Sequence, residues 1–157
     1  MITIPDSDFL WFVGQALDAM VAIVRELGDE RANARPALPG ANSPYAILTH
    51  CLGVMEFWAG HAVAGRRIVR DREAEFRATG RVDDLIERVA AARRQLEADV
   101  ATVRSLDAPR GALLPDDAAI PIGRTQGGVL LHIYEELQQH LGQMELTRDM
   151  LVARATR

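Results

Sequence analysis

The segment His132-Ile-Tyr-Glu135-Glu136-Leu-Gln-Gln-His140-Leu-Gly-Gln143 sets two histidines and two carboxylates close together, and another histidine, His50, stands far upstream. Imidazole and carboxylate side by side are a donor set for a divalent metal. Side chains four apart in an α-helix lie on one face, about one turn from each other. Glu136 and His140 have that spacing, whereas Glu135 points away from His140, so Glu136 is the usable carboxylate. Round the same helix Val129, Ile133, Leu137, Met144, Thr147 and Leu151 form an apolar stripe, with His140 in its middle and Glu136 at its edge. A carboxylate placed there must pair, take a proton or bind a cation.

His50 falls in a helix predicted over about 44–64, whose apolar arc is Ile47, Leu48, Cys51, Val54, Met55, Trp58 and Ala62. It sits at the flank of that arc, and in a bundle the flank of one stripe meets the flank of its neighbour. His50 can therefore complete a His50/Glu136/His140 set: three protein ligands with a fourth position left exchangeable, the layout of a reactive site. A second reading stays open on the residues alone. A histidine on an apolar face is commonly a packed, hydrogen-bonded residue, and Glu/His pairs four apart also form as plain helix-surface contacts. His132, one turn before Glu136, can replace His140 in the pair or support the ligands from behind. His61 lies three turns beyond His50, too far to share an ion with it, and reads as a half-exposed helix residue.

The run from Leu131 to Asp149 resembles the last-helix signature of the DinB-like superfamily. Leu48-Thr-His50-Cys-Leu-Gly-Val-Met-Glu56-Phe-Trp58 resembles its second-helix signature, a His followed six residues on by Glu and then by aromatics. The likeness extends over essentially the whole chain. It is greatest to the branch holding the mycothiol-dependent maleylpyruvate isomerase domain and related thiol transferases. That resemblance implies His50, Glu136 and His140 as metal ligands and a low-molecular-weight thiol of the mycothiol type as co-substrate. A metal in an open site favours the thiolate and so supplies a nucleophile at neutral pH. The implied activity is a metal-dependent thiol S-transferase acting on, or isomerising, a small electrophile. Gln143 stands where related sequences often carry His, which sets the chain apart from the isomerase itself. Two imidazoles and a carboxylate suit zinc first, and also accept nickel, iron or manganese.

The 157 residues, 48% of them apolar, predict one compact domain over 1–157. A net charge of −4 with scattered arginines argues against nucleic acid as a partner. The densest basic cluster, Arg66, Arg67, Arg70 and Arg72, is offset by Asp71, Glu73 and Glu75 and reads as a solvated helix end, or else as a seat for an anionic substrate group. All the basic residues are Arg, so Schiff-base chemistry and a phosphate-binding lysine are excluded. Cys51 is the only cysteine and falls in the apolar arc of its helix, which predicts an inert buried thiol and no disulfide. No signal peptide is legible, and no apolar run is read as a membrane span, so a cytoplasmic location without membrane contact is expected.

Four helical stretches position these residues. The first is predicted over about 7–27, with Phe9, Val13, Ala16, Leu17, Met20, Ile23, Val24 and Leu27 inward and Gly28 ending it. Ser43-Pro44 caps the second. The third, about 83–106, turns Ile86, Val89, Leu96, Val100 and Val103 inward and Arg93, Arg94, Glu97 and Asp99 outward. The fourth runs over about 125–153. A short helix containing Phe76 fits between the second and third. A Pro- and Gly-rich connector over 108–123 leads into the fourth helix and is expected to border the metal's open side. With no alternating strand pattern, the prediction is all-α: a four-helix bundle of DinB-like type, carrying its metal between facing helices. Three other readings remain: a metal- or ligand-binding module without turnover, a metal-dependent hydrolase, and a homodimer whose interface takes in Trp11 and Trp58.

Overall fold

The computed structural model describes residues 4–155, and every regular element among them is helical. The first helix, α1, spans Asp6–Ala32 and buries the predicted stripe of Val13, Ala16, Leu17, Met20, Ile23, Val24 and Leu27. Gly28 breaks it as its residue type predicts: φ is 64°, a conformation that costs other residues a steric penalty. One more turn then runs to Ala32. Asp29 in that turn accepts from Val82 N at 2.7 Å, and Asn33 is bonded both ways to Gly80. By length and apolar composition alone α1 is sufficient to cross a membrane, which corrects the expectation that no run qualifies. Its stripe is nonetheless committed to the core.

The second helix, α2 (Pro44–Met55), starts with Ser43 Oγ accepting from Ala46 N and Pro44 in the first turn. It continues directly into a π-helical stretch, Glu56–Val63, with Ala64 N donating to Ala59 O. The predicted length holds, but apolar spacing did not distinguish the wider turn from an ordinary one. Gly65, at φ 75°, closes the stretch, and Arg66 N reaches back to Gly60 O at 2.8 Å. After α3 (Arg72–Arg77), capped by Asp71, comes α4 (Val82–Val100), which stops short of the predicted Leu106. Two short helices, α5 (Pro115–Ala119) and α6 (Pro121–Arg124), occupy the connector before α7 (Gln126–Ala155).

The four long segments enclose one apolar core. α1 packs on α4 and α7, and α2 with its π-helical extension packs on the same two from the other side. Every member of the stripe predicted for α7, from Val129 to Leu151, is buried.

Two charge assignments are overturned. Asp99 does not face solvent: it is 3% exposed and takes both Nε and Nη2 of Arg66, at 3.0 and 2.8 Å, plus Gln95 Nε2 at 3.0 Å. Arg66 is thus an anchor that ties the chain after the π-helix to the end of α4. Gly60 makes room for it, because a Cβ there would collide with the guanidinium. Trp58 is buried at 5% exposure and cannot feed an interface, whereas Trp11 is 58% exposed.

Removing one partner of a buried pair leaves the other charge uncompensated. Arg66→Met is expected to cost about 2–3 kcal/mol in urea unfolding, less than the roughly 3–5 kcal/mol of a fully buried pair because the guanidinium is partly exposed. Arg66→Met with Asp99→Leu should recover a substantial part of the loss.

Candidate metal centre

Pairing α2 with α7 brings His50, Glu136 and His140 together, their donor atoms all within 4.8 Å of one another. Glu136 Oε2 lies 3.5 Å from His50 Nε2 and 3.5 Å from His140 Nε2. Metal bonds of about 2.0–2.1 Å at tetrahedral angles separate neighbouring donors by about 3.3 Å, so both spacings fit one ion. His50 Nε2 is buried without a hydrogen-bond partner, since its approach to Glu136 has ion-pair distance but not hydrogen-bond geometry. An orphaned buried nitrogen is costly unless something takes its lone pair or proton. The donor set therefore suits a divalent cation.

The other nitrogen of each imidazole is engaged. His140 Nδ1 donates to Gln143 Oε1 at 2.9 Å, within α7. His50 Nδ1 donates to Glu75 Oε2 at 2.8 Å, from α3. Arg70 grips the same carboxylate through Nε at 2.8 Å and Nη2 at 2.9 Å, and Phe76 stacks on the His50 ring at 4.3 Å. His50 is 1% exposed, deeper than a flank position predicts, because α3 covers it. Glu136 and His140 keep partial exposure, with side chains 26% and 18% accessible, which leaves the solvent approach to the group on their side.

The electrostatics follow from this arrangement. Burial opposes charge on His50, but Glu136 and Glu75 outweigh it and raise its pKa above 6.5. His140, and then His50, hold the Glu136 carboxyl well below the usual carboxylate range in spite of burial. For Glu75 burial is again opposed and exceeded, here by His50 and Arg70, so its carboxyl is lowered too. The Cys51 thiol is pushed far upward, first by burial and then by Glu136 and Glu75, which opposes formation of its thiolate.

His132 is not brought into the group. It bonds Glu135 at 3.3 Å and packs edge-on against Trp58, adding only a longer-range positive influence on Glu136. His61 is tied to the connector instead, its ring nitrogens facing Arg66 O and Ala112 O. The connector docks there, with Arg110 N donating to Ala62 O at 2.7 Å, and so meets the far end of the π-helical stretch rather than His50. The segment that does reach the ligands is the one before α4.

A model of the mycothiol S-transferase family matches residues 8–153. The chain belongs to that family. No curated protein matches it. Membership accords with the DinB-like resemblance of the second and last helices and bears out a thiol-transfer lineage.

Sequence reasoning missed Glu75, Arg70 and Phe76 as neighbours of the site, and placed the first two in a solvated cluster. They lie in and before a six-residue helix whose apolar pattern is too short to fix a face. One signal was available. Gly53, three residues after His50 inside an apolar helix, marks a close approach, and a Cβ there would strike the Glu75 carboxylate. A cleft of about 350 Å³ between α2 and α4 is lined by Leu52, Glu56, Arg88 and Gln95 among others and includes none of the three candidate ligands. In this member of the mycothiol S-transferase family, donor geometry rather than cleft volume singles out His50, Glu136 and His140.

In the metal-free protein, His50 binds its proton more tightly folded than unfolded. Its stabilisation is complete below 6.5 and is lost as pH rises through the raised folded value. Glu136 contributes stability above 4.5 that is lost as acid protonates it. Melting temperature without metal should therefore peak between these limits and fall toward alkaline pH, with His50→Gln flattening the alkaline decline.

Proposed function

We propose that this chain is a metal-dependent thiol S-transferase that binds one divalent ion, preferentially zinc, through His50 Nε2, Glu136 and His140 Nε2. The observation that carries the reading is the buried, unpartnered His50 Nε2 facing the Glu136 carboxylate and the His140 imidazole. When bound, the ion supplies a Lewis-acid seat that stabilises a thiolate over the thiol. Glu136 contributes one negative charge, leaving the seat net positive and attractive to an anionic sulfur. Partial exposure of Glu136 and His140 gives a small molecule access from one side, while buried Cys51 is kept out of the reaction. The thiol must then come from outside the chain. Family membership supports a mycothiol-type co-substrate, and the acceptor is a small electrophile.

Protein purified without a tag, chelator or added metal should contain close to one divalent ion per chain by plasma mass spectrometry. His140→Ala should lose it, and Glu136→Gln, which keeps shape and removes charge, should lower affinity strongly. In the cobalt-substituted protein the visible spectrum should change on adding a thiol. Full metal occupancy in Glu136→Gln would refute the ligand assignment. Since protons compete with metal for His50, affinity should fall as pH drops below that residue's raised pKa.

A further inference from the structure

A histidine can present Nε2 to a metal only while its remaining proton, if it has one, sits on Nδ1, and nothing intrinsic to imidazole guarantees that. For His140 the partner is local, Gln143 on the next turn of α7. For His50 the partner comes from another part of the chain. Glu75 Oε2 is 2.8 Å from Nδ1, and a carboxylate oxygen at that distance must face an N–H, because facing a lone pair would be repulsive. Arg70 Nη2 also lies near Nδ1, at 3.3 Å, but both its nitrogens make the shorter contacts to Glu75. The fork keeps the carboxylate charged and stationary.

The surroundings were shaped for this contact. Gly53 lacks the Cβ that would occupy the position of the Glu75 carboxylate, and Phe76 from the same helix covers the ring face. Asp71 caps α3 through Ala74 N, so the helix that carries Glu75 and Phe76 has a fixed start one residue after Arg70. Carboxylates hydrogen-bonded in this way behind a metal-binding histidine fix its tautomer and raise its basicity as a ligand.

We infer that Glu75 is the positioning residue of the site: anchored by Arg70 and admitted by Gly53, it holds the His50 proton on Nδ1 and turns Nε2 toward Glu136 and His140. The assignment rests on the metal-binding reading for its purpose, but its geometry has a signature of its own. Glu75 does not touch the ion or the substrate. It makes the segment between α2 and α4 a working part of the centre rather than a spacer.

The test uses the full chain as wild type, Glu75→Gln and Gly53→Ala. The second variant removes no donor and no charge but displaces the carboxylate. Ring ¹⁵N shifts of metal-free protein in alkaline buffer read the His50 tautomer, and competition with a chromophoric chelator reads zinc and cobalt affinity. Wild type should show a protonated Nδ1 and a bare Nε2. Both variants should move toward protonated Nε2 and lose roughly 10- to 100-fold in affinity for both metals. A wild-type proton on Nε2, or variants that keep the wild-type tautomer and affinity while melting lower, would overturn the assignment and leave Glu75 a purely structural tie. Wild type with the expected tautomer but no affinity for either metal would refute the proposed function while upholding Glu75 as the residue that sets the ring.

Discussion

An imidazole sealed from water on α2 needs both of its nitrogens answered; on His50, Nδ1 bonds Glu75, while Nε2, 3.5 Å from Glu136, has no hydrogen-bond partner. Much of the architecture near the site follows from that requirement. Glu75 can reach one nitrogen only if the chain between α2 and α4 folds back over the helix, which the Asp71 cap, the Arg70 fork and the missing side chain at Gly53 together permit. Glu136 can reach the other only if α7 lies alongside α2 in one register, which the stripe of Val129, Ile133 and Leu137 sets by its own burial. Apolar packing fixes the coarse register, and the polar contacts then select which face of the ring looks where.

The π-helical stretch and the Arg66–Asp99 pair divide the labour further along the same element. The widened turn carries the chain from Trp58 to Gly65, where the left-handed glycine lets it leave the core. Arg66 then clamps the exit to α4. Without a firm exit, the residues from 66 to 80 would have no fixed origin from which to bring Arg70, Glu75 and Phe76 back to His50. The buried Arg66–Asp99 pair thus supports the site at a distance, through chain geometry rather than contact.

The long helices were legible because their apolar residues recur with helical spacing over many turns: the stripe of α7 is buried residue for residue, that of α1 all but the half-buried Phe9, and Glu136 and His140 fall where the four-residue spacing puts them. What escaped notice has a common physical origin. Arg66, Arg70, Glu75 and Asp99 looked like ordinary surface charges because composition cannot tell a solvated ion from one whose partner is supplied by another segment. Periodicity likewise has nothing to say about a connector, so the prediction gave the site to the longer, more glycine-rich loop while the shorter one in fact covers it. The glycines were the better guides: Gly53 and Gly60 sit where a side chain from elsewhere comes close to the helix backbone.

The depth of Cys51 bears on how such a chain survives its own surroundings. Soft electrophiles modify proteins mainly at thiolates and neutral amines, and here the single thiol is walled into the core and held far from ionisation, while the sequence has no lysine at all. A chain built this way offers soft electrophiles neither an accessible thiolate nor a lysine amine. On the proposed reading, reactivity rests in a dissociable small thiol, and the polypeptide keeps the two most alkylation-prone side-chain types out of play.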